Sequence, residues 1–190
     1  MAADLFDLPP QGPPGFACRP AFVTQDEEAA LLTRLGELDF QPFQFQGYEA
    51  RRRVVSFGWR YEFSGAGALV EAWPLPDWLL PLRDRAAAFA GVPAADFVHV
   101  LINEYREGAP IGWHRDRPQF DKVVGVSLKA AAIMRFRRRV GSRFERLNAR
   151  LAPRSAYLLD GEARWTWEHS LPEAKAHRFS ITFRNLRAPA

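Results

Sequence analysis

"RFSITFR", residues 178–184, alternates charged or hydroxylated side chains with apolar ones. In an extended chain successive side chains point to opposite faces, so Arg178, Ser180, Thr182 and Arg184 share one face. Phe179, Ile181 and Phe183, with His177 ahead of them, take the other. The second face is what a core accepts. The first is a polar row ending in two fixed cations. Six residues of strand span about 20 Å, so the two guanidinium groups can lean inward toward a short dicarboxylate between them.

Working outward from this segment, "FVHVLINEY" (97–105), "VVGVSL" (123–128), "AIMRFRR" (132–138), "AYLLD" (156–160) and "RWTWEH" (164–169) read as further short strands. "VVSFGWRYEF" (54–63) places Phe57, Trp59, Tyr61 and Phe63 on one face. Thr24-Gln-Asp-Glu27 has the form of a capping box ahead of Ala30, Leu31, Leu32, Leu35 and Leu38, which predicts an amphipathic helix over 25–38. A second helix is expected to start near Asp77, to carry Trp78 to Phe89 and to stop at Gly91 before Pro93. No strong helix is expected after residue 95. Helices followed by strands argue an α+β fold, with the helices packed on one side of an antiparallel sandwich or barrel. Residues 1–20 are expected to form a flexible, proline-rich arm and residues 21–190 a single domain.

The chain has 190 residues, one cysteine (Cys18) and a net charge of +4. A lone cysteine permits no internal disulfide and suits a reducing compartment. The N-terminus lacks the basic region and apolar run of a signal peptide, and no stretch approaches the roughly 18 apolar residues of a membrane span. These features predict a cytoplasmic monomer without membrane attachment. The charge is divided: residues 1–100 carry −5 and residues 101–190 carry +9. The densest block, 135–154, holds eight arginines against Glu145 alone. Such a block attracts polyanions, although 23 of the 26 basic residues are arginine and a solvated face could look the same.

"GWHRDRPQF" (112–120) sets His114 two places before Asp116, so an extended backbone presents an imidazole and a carboxylate to one ion. A third ligand has to come from His99, His169 or His177. His177 lies in the wrong phase of its strand and His99 lies deep at the start of one. In "RWTWEH", alternation puts Trp165, Trp167 and His169 on one face. His114, Asp116 and His169 together form a two-histidine, one-carboxylate set that leaves positions open for a cosubstrate and oxygen. A pair of buried or capping histidines is the competing reading. Upstream, Asn103 and Tyr105 share a face and offer neutral partners to carboxylate oxygens.

Asn103-Glu-Tyr105, His114-Arg-Asp116, the distant His169 and Arg178-x5-Arg184 occur in an order that resembles the AlkB-type 2-oxoglutarate- and Fe(II)-dependent dioxygenases. "VVGVSL" and "RFSITFR" resemble that family's strand sequences, and the likeness spans roughly residues 50–187. The resemblance implies a double-stranded β-helix (jelly-roll) core. It implies Fe(II) on His114, Asp116 and His169, and 2-oxoglutarate on Asn103, Tyr105, Arg178, Ser180 and Arg184. The implied reaction uses O2 and decarboxylates 2-oxoglutarate to hydroxylate a methyl group; an N-methyl carbon is then lost as formaldehyde.

The implied substrate is an alkylated base of DNA or RNA. DNA-repair members commonly place an acidic residue two positions after the aspartate ligand, where this chain has Pro118. Residues 51–65 resemble the family's substrate lid. Trp59 or Tyr61 could stack on a flipped base or pack in a β-face, and Arg51, Arg52, Arg53, Arg137, Arg138 and Arg139 are candidate phosphate contacts. Two alternatives stay open: the same chemistry on a modified protein side chain, and a non-catalytic, arginine-rich jelly roll that binds nucleic acid.

Overall fold

The computed structural model of the chain describes residues 12–45, 48–61, 69–71 and 73–188; the side chains of 44, 45, 48, 60, 61 and 69–71 are outside the described set. The first half runs β1 (Phe16–Arg19), α1 (Gln25–Gly36), β2 (Gln41–Phe45), β3 (Tyr48–Tyr61), β4 (Leu69–Glu71), a 3-10 turn at Asp77–Leu79, and α2 (Leu80–Ala90). The second half runs β5 (Phe97–Tyr105), β6 (Ile111–His114), β7 (Phe120–Leu128), β8 (Ala132–Val140), β9 (Arg143–Leu151), β10 (Ala156–Leu159), α3 (Gly161–Trp165), β11 (Glu168–Leu171) and β12 (Arg178–Leu186).

The helix signals act as the sequence predicts. Thr24 Oγ1 accepts from the Glu27 amide at 3.1 Å while the Thr24 amide donates to Glu27 Oε2 at 2.8 Å, closing the capping box. α2 ends on Gly91, whose φ of 66° is a left-handed conformation that suits glycine.

The strands form an eight-stranded sheet in the order β1-β10-β7-β12-β5-β3-β2, with β4 on β3, and a four-stranded sheet in the order β6-β11-β8-β9. β12 lies between β5 and β7, and every residue from Arg178 to Asn185 is buried. Its alternation then decides what faces what. Phe179, Ile181 and Phe183 join Val100, Ile102, Val124, Val126 and Leu128 in a core covered by α1 and α2. The opposite face of the large sheet meets the small one across a second core, where Tyr105, Val123, Tyr157 and Leu159 pack with Met134, Phe136, Ala149, Leu151 and Leu171. This is the jelly-roll arrangement, with helices on the outside of the large sheet and a polar row of β12 facing inward. Gly125 belongs to that interior: a Cβ there would stand 2.2–2.4 Å from the ring of Tyr157, so only glycine lets the ring lie across β7.

Several segments depart from expectation. "RWTWEH" is not one strand. Asp160 caps the short α3, Trp165 ends it, and only Glu168 and His169 enter β11. Trp165, Trp167 and His169 therefore do not form a face: Trp167 is buried in the second core, and the Trp165 ring lies under Arg164 and Arg187. The arginine block at 135–154 is a β8–β9 hairpin. Phe16–Arg19, expected in the leading arm, pair with β10, whereas residues 1–11 lie outside the described set. Of the expected lid at 51–65, Arg53–Gly58 are a strand of the main sheet beside β5, and residues 62–65 lie outside the described set.

Candidate active site

His114 ends β6 and His169 lies in β11, directly opposite it in the antiparallel register. Their rings are 4.3 Å apart between centroids. Asp116 follows β6 in a loop and brings Oδ2 to 3.7 Å from His169 Nε2. Its other oxygen, Oδ1, accepts from Arg184 Nε at 3.1 Å and Nη2 at 2.8 Å. The small sheet thus contributes the histidines, and the large sheet holds the carboxylate between them through Arg184.

The protonation states fit metal ligation. His114 Nδ1 lies 2.9 Å from the Gly112 carbonyl, a contact in which Nδ1–H donates, so Nε2 is the ring nitrogen left to face an ion. Burial, and then the charge of His114, push His169 down to about 3, so its imidazole is neutral near pH 7. Burial alone would raise the Asp116 carboxyl, but Arg184, His169 and His114 outweigh it and hold the group well below the ordinary carboxylate range. His169 Nδ1 is buried without a hydrogen-bond partner among the described residues. The His114 ring, a neutral His169 imidazole and an ionised Asp116 carboxylate are the kind of donor set that suits a divalent first-row metal. Among the described residues no three His, Cys, Asp or Glu side chains converge closely enough to form a finished ion cage. Here Arg184 holds the carboxylate that an ion would share, and His169 stands 3.7 Å from its other oxygen.

The interior face of the large sheet carries a candidate anion site on the same strand as Arg184. Register pairs Tyr105 with Arg178, Asn103 with Ser180, and His99 with Arg184 across β5 and β12. Arg178 is 2% exposed. Its Nε and Nη2 donate to Ser127 Oγ at 3.2 and 3.0 Å, and its guanidinium lies 5.1 Å from the Tyr105 ring centre. Its Nη1 is buried with no partner among the described residues, and no carboxylate there lies within 4.0 Å of the group. A buried cation without an anion is costly. An incoming carboxylate relieves that cost.

A family model described as the 2OG-Fe(II) oxygenase superfamily matches residues 15–184. The chain belongs to that superfamily. This oxygenase is 26% identical over 191 residues to an uncharacterized protein of Acanthamoeba polyphaga mimivirus, covering 90% of this chain and 85% of that protein. It is 28% identical over 211 residues to the alkylated DNA repair protein ALKBH8 homolog of Arabidopsis thaliana, covering 92% of this chain and 59% of that protein. The solved structure of OsALKBH1 superimposes with a TM-score of 0.69 at 15% identity, covering 92% of this chain and all of that one, which supports the jelly-roll fold. The family and these AlkB homologues make the protein an AlkB-type Fe(II)- and 2-oxoglutarate-dependent dioxygenase.

The remaining expected residues are distributed unevenly in the oxygenase. Arg184, expected on the dicarboxylate, points to Asp116, while Arg178 has no carboxylate partner among the described residues. Arg52 is buried, donates Nε to Asn103 Oδ1 at 3.3 Å and stacks on Phe43 at 3.8 Å, so it faces the interior and not a phosphate backbone. Arg53 pairs with Glu104 at 2.5 Å, and Arg51 is exposed near Glu173 at 3.8 Å. Trp59 lines a cleft with Leu75 and Phe97, residues of the helix-side core, so it does not share the interior face of Asn103 and Tyr105. The Tyr61 side chain lies outside the described set. Arg137 pairs with Glu168 at 2.6 Å, Arg138 with both Glu145 and Glu162, and exposed Arg139 with the Gly141 carbonyl.

Two supporting residues were not anticipated. Arg164, from α3, donates to the carbonyls of Asp121, Arg117 and Phe120 at 2.8, 2.6 and 2.6 Å, pinning the loop that carries Asp116. His99 stacks on Phe120 and lies 3.5 Å from Arg184, with its neutral form enforced by burial and by the Arg184 charge, which push it to about 3. A buried arginine in a tryptophan-rich run could have been noticed only if the run had been read as a turn.

Proposed function

We propose that this dioxygenase hydroxylates the methyl group of an alkylated nucleic acid base, in DNA or RNA, as a cytoplasmic monomer. His114, Asp116 and His169 would hold the iron, and Arg178, with Tyr105, Asn103 and Ser180 on the same interior face, would receive a carboxylate of 2-oxoglutarate. With 2-oxoglutarate and O2, bound Fe(II) supplies the oxidation of a C–H bond to C–OH while the cosubstrate leaves as succinate and CO2. A hydroxymethyl group on nitrogen is then lost as formaldehyde. Arg184 keeps Asp116 ionised and aimed, Arg164 fixes its loop, and Arg52 orients the Asn103 amide. The observation that carries the reading is the buried Arg178 guanidinium, whose Nη1 has no partner among the described residues, on the same interior face as Arg184, the partner of Asp116.

The nucleic acid substrate is supported by the Arabidopsis relative, an alkylated DNA repair protein homolog, and by the basic second half of the chain. The test is a mass-spectrometric screen of methylated DNA, RNA and peptides with Fe(II) and 2-oxoglutarate supplied. Iron-dependent succinate, together with a methyl group lost or oxidised on a nucleic acid oligomer, is the expected result. Turnover of a methylated peptide alone would move the substrate to protein.

A further inference from the structure

The small sheet has a second face. Met134, Phe136, Ala149 and Leu151 point into the core, so alternation sends Ile133, Arg135, Arg137 and Arg139 of β8 outward. Phe144, Arg146, Asn148 and Arg150 of β9 lie beside them in register. Trp113 of β6 completes this face, with the Arg135 and Arg137 guanidinium groups 5.3 and 4.5 Å from its ring centre. Arg137 and Arg146 also lie 4.8 and 5.6 Å from the ring centre of Phe144. The charge is one-sided. Glu168 neutralises Arg137, yet among the described residues no carboxylate lies within 4.0 Å of Arg135, Arg139, Arg146 or Arg150. Arg138, which points to the other side over Trp167, has two glutamates. Ile133 and Phe144 on this face remain 41% and 38% exposed.

We propose that this outer face is a docking platform for single-stranded nucleic acid, separate from the cleft between the sheets. Same-face residues along a strand are about 6.7 Å apart, close to the separation of successive phosphates in an extended single strand. Arg135, Arg139, Arg146 and Arg150 take the phosphates, and Phe144 offers a ring to an unpaired base, the combination that binds single strands without reading sequence. A duplex keeps its bases stacked within itself and gains nothing from Phe144. The platform leads to the site: the four strands span roughly 15 Å, and at the β6 edge Trp113 faces outward while the next residue, His114, faces inward. A strand lying across the platform reaches the cleft by passing over that edge. The platform deepens the nucleic acid reading above and is independent of the iron chemistry.

Fluorescence anisotropy of the full chain with labelled, unmethylated 12-nucleotide RNA and DNA, without metal or 2-oxoglutarate, tests it. Arg135→Glu/Arg146→Glu/Arg150→Glu should weaken binding at least thirtyfold at 0.1 M salt, and flatten the plot of log K against log[salt] by about 2. Phe144→Ala should weaken binding about fivefold or more with the salt slope unchanged. Reversal of Arg34 and Arg83, on the helix side, should do neither. Arg146→Glu and Arg150→Glu, both at exposed positions, serve singly if the triple variant melts early. Unchanged affinity in these variants overturns the platform, as does equally tight binding of wild type to phosphatidylserine vesicles or polyglutamate. Platform-dependent RNA binding without turnover of any methylated base would retain the platform and discard the nucleic acid substrate.

Discussion

Arg178→Met separates stability from function in an unusual way. The substitution keeps volume and removes a cation that is 2% exposed, has no carboxylate among the described residues and leaves Nη1 unpartnered. Burying an ion costs several kcal/mol even after relaxation. The compensation visible here is one hydroxyl, Ser127 Oγ, shared by two N–H donors, and the ring of Tyr105 5.1 Å away. Hydrogen bonds from a charged group return about 1.5–3 kcal/mol. The ligand-free variant should therefore be as stable as wild type or more so, by about 0–3 kcal/mol, which for a chain of this size raises Tm by up to roughly 10 °C. 2-Oxoglutarate should reverse the order. It raises the wild-type Tm in proportion to ln(1 + [L]/Kd). The variant, lacking a charge-assisted pair of about 2–5 kcal/mol, should bind roughly thirty- to several-thousand-fold more weakly and shift little. Thermal melting of both proteins with and without 2-oxoglutarate reads both effects. A variant that melts well below wild type when ligand-free, yet shifts equally with 2-oxoglutarate, would refute the assignment of Arg178 as an anion receptor.

Arg164→Met should cost on the order of 3 kcal/mol, because buried carbonyls of the Asp116 loop lose their donors, and should lower metal affinity; chemical denaturation and metal titration check both. Gly125→Ala should destabilise by about 1–3 kcal/mol and displace the Tyr157 ring, visible as a near-ultraviolet circular dichroism change. His99 and His169 both have folded values near 3, below the ordinary 6.5, so below pH 6.5 the unfolded chain binds protons that the folded one refuses. Stability should accordingly fall as pH drops from 6.5 toward 4, by up to roughly 2.7 kcal/mol per pH unit for the pair. His99→Gln should halve that slope in urea titrations, and an unaltered slope would mean that His99 does not contribute.

What was legible in the sequence followed a local period. The alternation of 178–184 correctly divided the helix-side core from the polar interior face because β12 is buried on both faces, so both sets of side chains were under constraint. The capping box and Gly91 worked because caps are decided within a few residues. α3 was missed because a five-residue helix is too short to show a 3.6 period, while Trp165 and Trp167 imitate the two-residue period of a strand. β9 was hidden by its charge: Glu145 and Arg146 point to opposite faces, and composition sees only arginine. Among Arg51, Arg52 and Arg53, the inward one is chosen by pairing with β5, which no local pattern encodes.

The register of β6 against β11 has a consequence for folding fidelity. His114 and His169 are direct partners across that ladder, and one-residue slippage in a sheet exchanges the faces of a whole strand. A slipped β6 would carry His114 to the arginine side and turn Trp113 into the interior. A misthreaded molecule could retain most of its hydrogen bonds and still have only half of its imidazole pair. If these two histidines hold the ion, metal capture would act as a proofreading step at this edge of the small sheet: only the correctly threaded isomer would gain the ion's binding energy, and chelation during refolding should enrich the misregistered one.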